Sequence, residues 1–426
     1  MNIGIVGLSH QGLVYMSFLS KFNFKIIGID TNKNLIKELK ENFVSADTLA
    51  EPFIQKTLRT NKKKITFTDN FKEITKCNLL LITEDVKILS DGSKNESKVY
   101  YLIKTALKNV KNNSNLIILS QVSVGFANKI KKITNVKKKI NILNSPDILT
   151  IGQALKDLIA KKTYIVGSSN SNFIKNKNIK NFFSRIKKKV IYTNLESVEV
   201  AKEAVQLKLG LDVTFVNLLD DFCKYNKAIT HDVIDYMKLD IRFSKKGYWR
   251  PGLGFGGGHI ERGLKTFDKN LNTNYKNLIE QIITFNEKRM DYFSNSMMSY
   301  LDKIKNLKLG ILGLSYKKNS ESVFRSYATR FIQKIKKQKN PIYAYDPFAE
   351  FTKNFEKKYS IKQVSQIKTV LKNSNVLMFM CDWDEFKRIK LINFKQSNIK
   401  IIIDPFSIFR KNKDSFIKKG IKYLQL

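Results

Sequence analysis

One sequence pattern occurs twice in this chain of 426 residues. Ile3–Ser9 reads I-G-I-V-G-L-S, and Leu309–Ser315 reads L-G-I-L-G-L-S. In both places a short apolar run ends at a glycine, which is followed by a leucine and a serine. A buried strand that ends in a sharp turn is expected to have this composition. The repeat predicts two similar sheet-forming units, one near each end of the chain.

Short apolar runs alternate with longer polar segments of helical length around both repeats, which predicts parallel, doubly wound sheets. The strand candidates of the first half are Ile3–Gly7, Phe24–Asp30, Leu79–Thr83, Leu116–Ser120, Ile140–Leu143 and Tyr164–Gly167. Those after Leu307 are Lys308–Leu312, Ile342–Asp346, Val376–Met380 and Lys400–Asp404. Between them, helical spacing predicts one long helix over residues 196–226 and a second helical segment over Leu278–Tyr300.

The chain is therefore predicted to be an α/β protein with two Rossmann-like doubly wound domains, joined by a central helical domain with a long helix. The expected boundaries are residues 1–195 for the first domain, 196–304 for the helical domain and 305–426 for the last. A chain of this length can bury most of its apolar surface.

Composition narrows the classes of protein that fit. The hydrophobic fraction of 42% and the aromatic fraction of 11% are typical of globular proteins. No apolar run approaches the ~20 residues of a membrane span, and the strand-like start leads us to expect no signal peptide. Cys77, Cys223 and Cys381 lie far apart, which favours a reducing, cytoplasmic setting and no metal cluster.

The net charge of +40 has two explanations. A nucleic acid or an anionic membrane would be a suitable partner, but a lysine-rich composition spread over solvated surfaces gives the same number. Lysine runs such as Lys62–Lys64 and Lys187–Lys189 occur along the whole chain and form no single stripe. We therefore expect no specific nucleic-acid partner, although a positive surface would still attract anionic nucleotides.

The first repeat continues into the pattern of a dinucleotide site, because residues 7–12 read G-L-S-H-Q-G between a strand and a helix. Gly7 would allow the tight turn and Gly12 close packing, so that backbone amides face a pyrophosphate. Asp30 ends the next strand, where an acid bonds a ribose 2′-hydroxyl and disfavours a 2′-phosphate. NAD is the expected cofactor, held by Gly7, Ser9, His10, Gln11, Gly12 and Asp30; a domain that no longer binds a dinucleotide is the alternative.

The middle region contains a glycine-rich loop, Pro251–Gly263, which reads P-G-L-G-F-G-G-G-H-I-E-R-G. The loop resembles G-F-G-G-S-C-F-P-K-D, the active-site loop of the nucleotide-sugar 6-dehydrogenases, known as the UDP-glucose/GDP-mannose dehydrogenase family. The cysteine of that family is its catalytic nucleophile. Here His259 takes the cysteine position and Gly258 the serine position.

Further motifs extend the resemblance over nearly the whole chain. Glu199–Lys202 (E-V-A-K) resembles the E-L-x-K of the family's central helix, and Asn217 matches its later asparagine. The remaining matches are Asn144–Leu149 (N-S-P-D-I-L, for N-P-E-F-L), Tyr316–Asn319 (Y-K-K-N, for F-K-P-N), Tyr345–Pro347 (Y-D-P) and Asp382–Phe386 (D-W-D-E-F, for E-W-D-E-F).

The resemblance implies roles for aligned residues. Lys202 would stabilise the oxyanion at the reacting carbon, unless it is simply one more solvated lysine. The implied catalytic set is Lys202, His259, Asp147 and Gln206; Gln121 and Arg325 join the cofactor set; and the substrate set is Leu149, Phe255, Gly256, Gly257, Lys317 and Arg242. The resemblance also implies a nucleotide-sugar substrate, a homodimer built by the long helix, and a cytoplasmic role in polysaccharide or glycan precursor synthesis.

Departures from the family pattern fall on chemically important positions. The family's lysine and aspartate after the cysteine are Arg262 and Gly263, so one catalytic aspartate is missing. Other replaced positions are Gln206 for an asparagine, Gln121 for a threonine, Ile151 for a glutamate and Phe406 for an arginine, while the arginine of R-E-S is lost or moved to Arg325. In the family, these two arginines help to hold phosphates.

The missing thiol limits the chemistry. Family members oxidise an alcohol to an acid through a thiohemiacetal, and the second oxidation requires a nucleophile that forms a tetrahedral adduct. Imidazole forms weak adducts with aldehydes but is a good general base near neutral pH. The sequence thus predicts a single two-electron oxidation, with His259 as base or as a structural residue of the loop. The alternatives are a protein that binds NAD or a nucleotide sugar without turnover, and an epimerase that acts through a transient ketone.

Overall fold

The computed structural model describes residues 1–43, 51–89, 93–134, 139–147, 149, 152–169, 176–243, 247–270, 276–335 and 340–425. Backbone contacts group the chain into two compact units, Met1–Val205 and Gln206–Leu426. Two motif positions, Ile148 and Ile151, lie outside the described residues, and so does the side chain of His259. No helix in these described ranges is long and apolar enough to cross a membrane.

The first unit contains an eight-stranded sheet in the order β10-β9-β8-β7-β4-β1-β2-β3 and a separate antiparallel pair, β5 and β6. Its strands are β1 (Asn2–Val6), β2 (Lys25–Ile29), β3 (Ile65–Thr68), β4 (Leu79–Ile82), β5 (Lys87–Ile88), β6 (Lys94–Asn95), β7 (Asn115–Ile118), β8 (Asn141–Asn144), β9 (Thr163–Ser168) and β10 (Lys189–Thr193). Six neighbouring strands of this sheet, in the order β3-β2-β1-β4-β7-β8, are parallel and form the 3-2-1-4-5-6 arrangement of dinucleotide-binding domains.

Helices cover both faces of this sheet. They are α1 (His10–Ser20), α2 (Lys33–Asn42), α3 (Pro52–Thr60), α4 (Ser97–Asn109), α5 (Phe126–Thr134), α6 (Ala154–Ala160), α7 (Lys177–Arg185) and the start of α8 (Leu195–Tyr225). Alternate strand residues serve separate cores: Ile3 and Ile5 belong to one apolar cluster, whereas Val6 and Ile82 belong to another. Because side chains alternate across a strand, a sheet covered on both faces needs continuously apolar strands.

The second unit repeats the strand order on a smaller scale, with a six-stranded parallel sheet in the order β13-β12-β11-β14-β15-β16. Its strands are β11 (Leu309–Leu312), β12 (Ile342–Tyr345), β13 (Ile361–Gln363), β14 (Val376–Phe379), β15 (Ile401–Ile403) and β16 (Lys422–Leu424). Its helices after α8 are α9 (Thr230–Met237), α10 (His259–Asn270), α11 (Lys276–Leu301), α12 (Tyr327–Lys334), α13 (Lys353–Tyr359), α14 (Ile367–Asn373), α15 (Leu391–Lys395) and α16 (Lys413–Ile417).

The two doubly wound sheets and the long helix predicted from the sequence are confirmed. The sequence patterns missed β3, β10, β13 and β16, which are the outer strands of the two sheets. Each of them is only partly buried and therefore lacks a continuous apolar run. The three predicted domain boundaries remain a prediction beside the two compact units.

One strand direction differs from the all-parallel prediction. β9 runs antiparallel to β8, with Leu143 opposite Ser168, and β10 then runs parallel to β9. A parallel neighbour requires a crossover that carries the chain back to the other end of the sheet. Helix α6 has only seven residues and, at about 1.5 Å per residue, is shorter than a usual crossover helix.

Candidate active site

Two glycines shape the turn between β1 and α1. Gly7 has a φ of 93°, and a Cβ built on it would lie 2.7 Å from the Cβ of Glu84 and 2.8 Å from its backbone nitrogen. A Cβ on Gly12 would lie 2.1 Å from the carbonyl oxygen of Gly7. Neither position can hold a side chain, so the first turn of α1 lies directly against the turn after β1. This is the geometry in which helix amides can face a pyrophosphate.

Asp30 lies at the carboxyl end of β2, beside the turn. Its side chain is fully buried; Oδ2 accepts the backbone N–H of Leu8 at 2.8 Å, and Oδ1 accepts that of Asn32 at 2.9 Å. The Nζ of Lys98 lies 4.0 Å from Oδ2. The carboxylate is thus fixed at the edge of the sheet where a ribose binds in this fold. Together with the two glycines, it fits NAD.

The side chains of the turn bond within the protein. The Ser9 hydroxyl donates to the carbonyl of Thr83 at 3.2 Å, and the Nε2 of His10 lies 2.7 Å from Oε1 of Glu51. Gln11 donates from Nε2 to the carbonyl of Leu119 at 3.0 Å. The backbone of the turn, more than these side chains, is therefore the part that would hold a pyrophosphate. Gln121, the other predicted cofactor residue of this unit, follows β7.

Glu51 connects the glycine turn to the segment after β8. It is 5% exposed, and besides His10 it accepts the backbone N–H of Gly152 at 3.0 Å and that of Leu155 at 3.4 Å. Burial raises the pKa of Glu51, but the bonds from His10 and the two amides outweigh it and lower that pKa overall. The carboxylate is thus ionised and joins the cofactor turn to the start of α6.

A buried carboxylate and two lysines lie beyond β8. Asp147 is 1% exposed, and its Oδ1 forms an ion pair with Nζ of Lys161. Its Oδ2 is buried and accepts no hydrogen bond from the described residues. Burial raises the pKa of Asp147, while the charges of Lys161 and Lys202 lower it. Lys202, on α8, is itself only 6% exposed.

Lys161 and Lys202 border a cavity of about 380 Å³. Its lining includes Pro146, Leu149, Lys161, Ile165, Val198 and Lys202. Lys161 is fixed from a second side, since its Nζ lies 4.0 Å from the centre of the Tyr164 ring. Two predicted residues, Leu149 and Lys202, thus line one mostly apolar cavity together with Lys161, whose ion-pair partner is the predicted residue Asp147. Such a cavity can stabilise a developing negative charge.

Glu199, which opens the E-V-A-K motif, has a structural task. It accepts the backbone N–H of Gly125 at 2.6 Å and of Ala127 at 3.0 Å, together with the amide of Asn144 at 3.0 Å. It thereby satisfies amides at the start of α5 and fixes the end of β8. The motif positions α8 on the sheet, and Lys202 follows one turn later.

The glycine-rich loop lies in the second unit, and its glycines pack against protein groups. A Cβ on Gly254 would lie 2.2 Å from Oδ1 of Asn286, and one on Gly257 would lie 2.4 Å from the ring of Tyr316. The amide of Asn286 also bonds both backbone groups of Phe255, at 2.6 and 3.0 Å. The Phe255 ring packs in an apolar cluster with Leu264. Close packing therefore suffices to require these glycines; their contact with substrate remains a prediction.

Two departures from the family pattern fit each other. A Cβ built on Gly263 would lie 2.2 Å from the Cβ of Gln206. Gln206 is 9% exposed on α8, and Gly263 lies on α10, which begins at His259. The larger residue on one helix occupies the space that a side chain on the other would need. The loss of the aspartate position is thus built into the packing of α8 against α10.

Predicted ligand residues of the second unit have internal partners. Arg325 pairs with Glu261 at 2.9 Å and with Glu287 at 2.7 Å. Arg242 is largely exposed and bonds Asp240. The Nζ of Lys317 lies 5.7 Å from the centre of the Tyr316 ring. A ligand role for the two arginines would require them to exchange these partners.

Sequence reasoning missed Lys161, Glu51 and the acidic pair that follows β4, Glu84 and Asp85. Lys161 belongs to a run of two lysines among the many in the chain, so nothing in the sequence distinguished it. Glu84 and Asp85 directly follow a predicted strand at the carboxyl edge of the sheet, and that position could have revealed them.

Comparison with known proteins gives consistent matches along the chain. Three domain models of the UDP-glucose/GDP-mannose dehydrogenase family match: the NAD binding domain over residues 1–187, the central domain over 196–288 and the UDP binding domain over 310–411. The UDP-glucose 6-dehydrogenase TuaD of Bacillus subtilis (strain 168) is 23% identical over 418 residues, covering 96% of this chain and 89% of that protein.

Two solved structures share the fold. A UDP-glucose dehydrogenase from the archaeon Pyrobaculum islandicum superposes with a TM-score of 0.78 at 18% identity, covering 91% of each chain. A UDP-D-ManNAc dehydrogenase from Pyrococcus horikoshii gives a TM-score of 0.79 at 20% identity, covering 95% of this chain and 94% of that one.

Proposed function

The chain belongs to the UDP-glucose/GDP-mannose dehydrogenase family of NAD-dependent nucleotide-sugar dehydrogenases, and from this premise we propose that it removes only two electrons from its substrate. The substrate is an alcohol of a nucleotide-activated sugar. The product is an aldehyde, or a ketone if the alcohol is secondary, and the reverse reduction is equally allowed. The family's four-electron oxidation to a carboxylate is not expected.

The paired replacement of Gln206 and Gly263 carries this proposal. A thioester route needs a thiol and a polar group that activates water for hydrolysis of the acyl intermediate. The thiol position is His259, and the aspartate position is a glycine packed against Gln206. Because a side chain on Gly263 would collide with Gln206, we expect the acid-forming half of the family reaction to be lost in this protein.

The remaining groups suit a single hydride removal. His259 takes the hydroxyl proton as a general base, because imidazole titrates near neutral pH. Lys202 stabilises the alkoxide from within its apolar cavity, where a charge interaction is stronger than in water. NAD, when bound, accepts the hydride from the carbon.

Asp147 and Lys161 act on Lys202 through their charges. Asp147 supplies a buried negative charge near Lys202, and Lys161 neutralises its other side. In Lys161→Met, Asp147 would be left with Lys202 as its nearest cation and would draw it from the alkoxide. We expect kcat/KM to fall on the order of tenfold, the effect of a charge interaction of about 1.4 kcal/mol. Lys161→Arg should retain activity, and the exposed neighbour Lys162→Met is the matched control.

A homodimer is proposed for the same protein. Exposed apolar residues follow one stripe of α8: Leu211, Phe215, Leu218, Phe222 and Tyr225. Their spacing places them on one face of the helix, and a stripe of this length is typical of a helix that packs on a second copy. Phe222→Asp should shift the sedimentation coefficient toward a monomer, whereas Ile417→Asp, at an exposed position of α16, should not.

The experiment that tests the function counts electrons. A panel of nucleotide sugars is incubated with NAD, and the NADH formed per substrate consumed is measured together with the product. We expect one NADH and an aldehyde or ketone. Two NADH per substrate with a carboxylate product would contradict the two-electron proposal while leaving the family assignment intact.

The second candidate function is a protein that binds NAD or a nucleotide sugar without turnover. The ion pairs of Arg325 favour it. The Arg325 guanidinium is held by Glu261 and Glu287, so a residue aligned with a cofactor-binding arginine is engaged elsewhere. Calorimetry separates the two candidates. Binding of NAD and of a nucleotide sugar with no turnover over the whole panel would favour this second reading, and turnover without net NADH would point to an epimerase.

A further inference from the structure

An exposed carboxylate lies on the helix terminus at which a dinucleotide would bind. Oδ2 of Asp85 accepts the backbone N–H of Gln11 at 3.3 Å. Gln11 is the second residue of α1, so its amide is among those that have no partner within the helix. In this fold the amides at that helix terminus bind the cofactor pyrophosphate. Asp85 thus accepts the hydrogen bond of a backbone amide that the cofactor pyrophosphate would otherwise accept.

A second bond holds Asp85 in place. Its own N–H donates to the hydroxyl of Ser9 at 2.8 Å, and that hydroxyl donates to the carbonyl of Thr83 at 3.2 Å. Ser9 takes the position of the middle glycine in the turn. The serine at this position therefore joins the segment after β4 to the glycine turn. This holds Asp85 beside the backbone amide of Gln11, from which its carboxylate accepts a hydrogen bond.

The charges around the turn oppose a further anion. Glu84 is 3% exposed behind Gly7, and Lys98 lies 2.7 Å from its Oε1 and 4.0 Å from Oδ2 of Asp30. This lysine is thus placed between two acids other than Asp85. A pyrophosphate that binds the amide of Gln11 must displace the carboxylate of Asp85, and like charges so close together repel each other.

We propose that Asp85 is an affinity-determining residue of the dinucleotide site, and that it competes with the cofactor pyrophosphate for the backbone amide of Gln11. The inference deepens the proposed function, because it rests on the use of NAD. Asp85 is exposed and can rotate away, so it weakens cofactor binding without preventing it. A carboxylate at a helix N-terminus stabilises the free protein, and this stabilisation is lost when NAD binds.

The test measures dissociation constants by calorimetry for the wild type, Asp85→Asn and Asp85→Ala. Asn keeps an oxygen for the Gln11 amide but removes the charge, whereas Ala removes both. We expect each variant to bind NAD about two- to fivefold more tightly, the effect of one exposed helix-terminal charge contact. Glu38→Gln, an exposed residue on α2 of the same unit, makes an equal charge change away from the turn and should leave the affinity unchanged.

ADP-ribose is the second probe, because it contains the same pyrophosphate and no nicotinamide. It should gain the same factor as NAD in both Asp85 variants. Unchanged or weaker NAD binding in the variants would overturn the inference, and so would a gain for NAD that ADP-ribose does not share. If neither the folded wild type nor any variant binds NAD, both this inference and the proposed function fail. If all of them bind NAD but the variants bind it no more tightly than the wild type, only this inference fails and the proposed function stands.

Discussion

The two glycine turns, at Gly7 in the first unit and Gly313 in the second, share their backbone geometry. Their φ angles are 93° and 97°. A Cβ on Gly7 would lie 2.7 Å from Glu84, and one on Gly313 would lie 2.5 Å from Cys381, the residue at the same place in its sheet. In each unit an aspartate at the end of the second strand accepts the N–H that follows the glycine.

Beyond the turn the two units diverge. In the first, α1 begins at His10 and Gly12 lets it lie against the turn. In the second, Asp346 accepts from the backbone and hydroxyl of Ser315 and from Nε1 of Trp383. Among the described residues that follow Gly313, the first α-helix begins only at Tyr327. The strand and the glycine therefore determine the turn, whereas a phosphate-binding site of this kind also needs a helix N-terminus beside the turn.

The largest effect is expected from Gly12→Ala. The new Cβ would lie 2.1 Å from a backbone oxygen, which cannot move without shifting α1 or the turn. We expect a loss of about 3 kcal/mol or more in the free energy of unfolding, because overpacking against backbone is costly. Lys318→Ala changes the corresponding position of the second unit, where the side chain is partly exposed, and should cost less than about 0.5 kcal/mol. Urea denaturation measures both, and equal effects would contradict the comparison.

A smaller effect is expected from removing the charge of each turn aspartate. Every hydrogen bond of the Asp346 carboxylate is donated by its partner. The partners are Leu314, Phe348 and Ala349 besides Ser315 and Trp383. In Asp346→Asn an amide donor must face one of these donors, at a cost of about 2 to 3 kcal/mol. Asp30→Asn should cost less, since the bonds to Leu8 and Asn32 are fewer, but should weaken NAD binding. Calorimetry with NAD shows the second effect, and a normal affinity for Asp30→Asn would argue against its ribose role.

The smallest effect concerns pH. Burial, with the charges of Asp30 and Asp85, raises the pKa of Glu84 to about 7, although Lys98 lowers it. The unfolded carboxyl titrates near 4.5, so between these values the folded state binds more protons and stability falls as pH rises. We expect a loss on the order of 2 kcal/mol between pH 5 and pH 8 in the wild type, and a flatter profile in Glu84→Gln.

Cys381 provides the control for this prediction. It occupies the place of Glu84 in the second unit, and burial raises the pKa of its thiol far above neutrality. Cys381→Ser should therefore leave the slope of stability against pH unchanged between pH 5 and pH 8. A flattened profile in this variant, or an unchanged profile in Glu84→Gln, would show that other groups control the dependence.

Much of the fold could be predicted because buried strands carry their own signal. The central strands of both sheets are apolar on both faces, and the patterns found them within one or two residues. The outer strands β3, β10, β13 and β16 were missed because only part of each is buried. The direction of β9 was missed because a short helix replaces the usual crossover, and a helix pattern does not show which way the chain returns.

The candidate site could be predicted only in part. Asp147 and Lys202 were found through motifs; Lys202 borders the cavity, and Asp147 is paired with Lys161, which borders it too. The partner that fixes Asp147, Lys161, was not found, because a lysine in a lysine-rich chain carries no signal. The side chain of His259, on which the proposed proton transfer depends, lies outside the described residues, so that role stays a prediction.

By itself, the sequence determined the two strand–glycine turns, the doubly wound alternation of strands and helices, and the family, because burial patterns and local motifs can be read directly along the chain. Only the tertiary structure decided which charges meet. Asp85 reaches Gln11 across 74 residues, Lys161 reaches Asp147, and Gln206 takes the space beside Gly263. The physical reason is that burial is a property of each residue's position in its own strand or helix, whereas a polar contact depends on how separate elements pack.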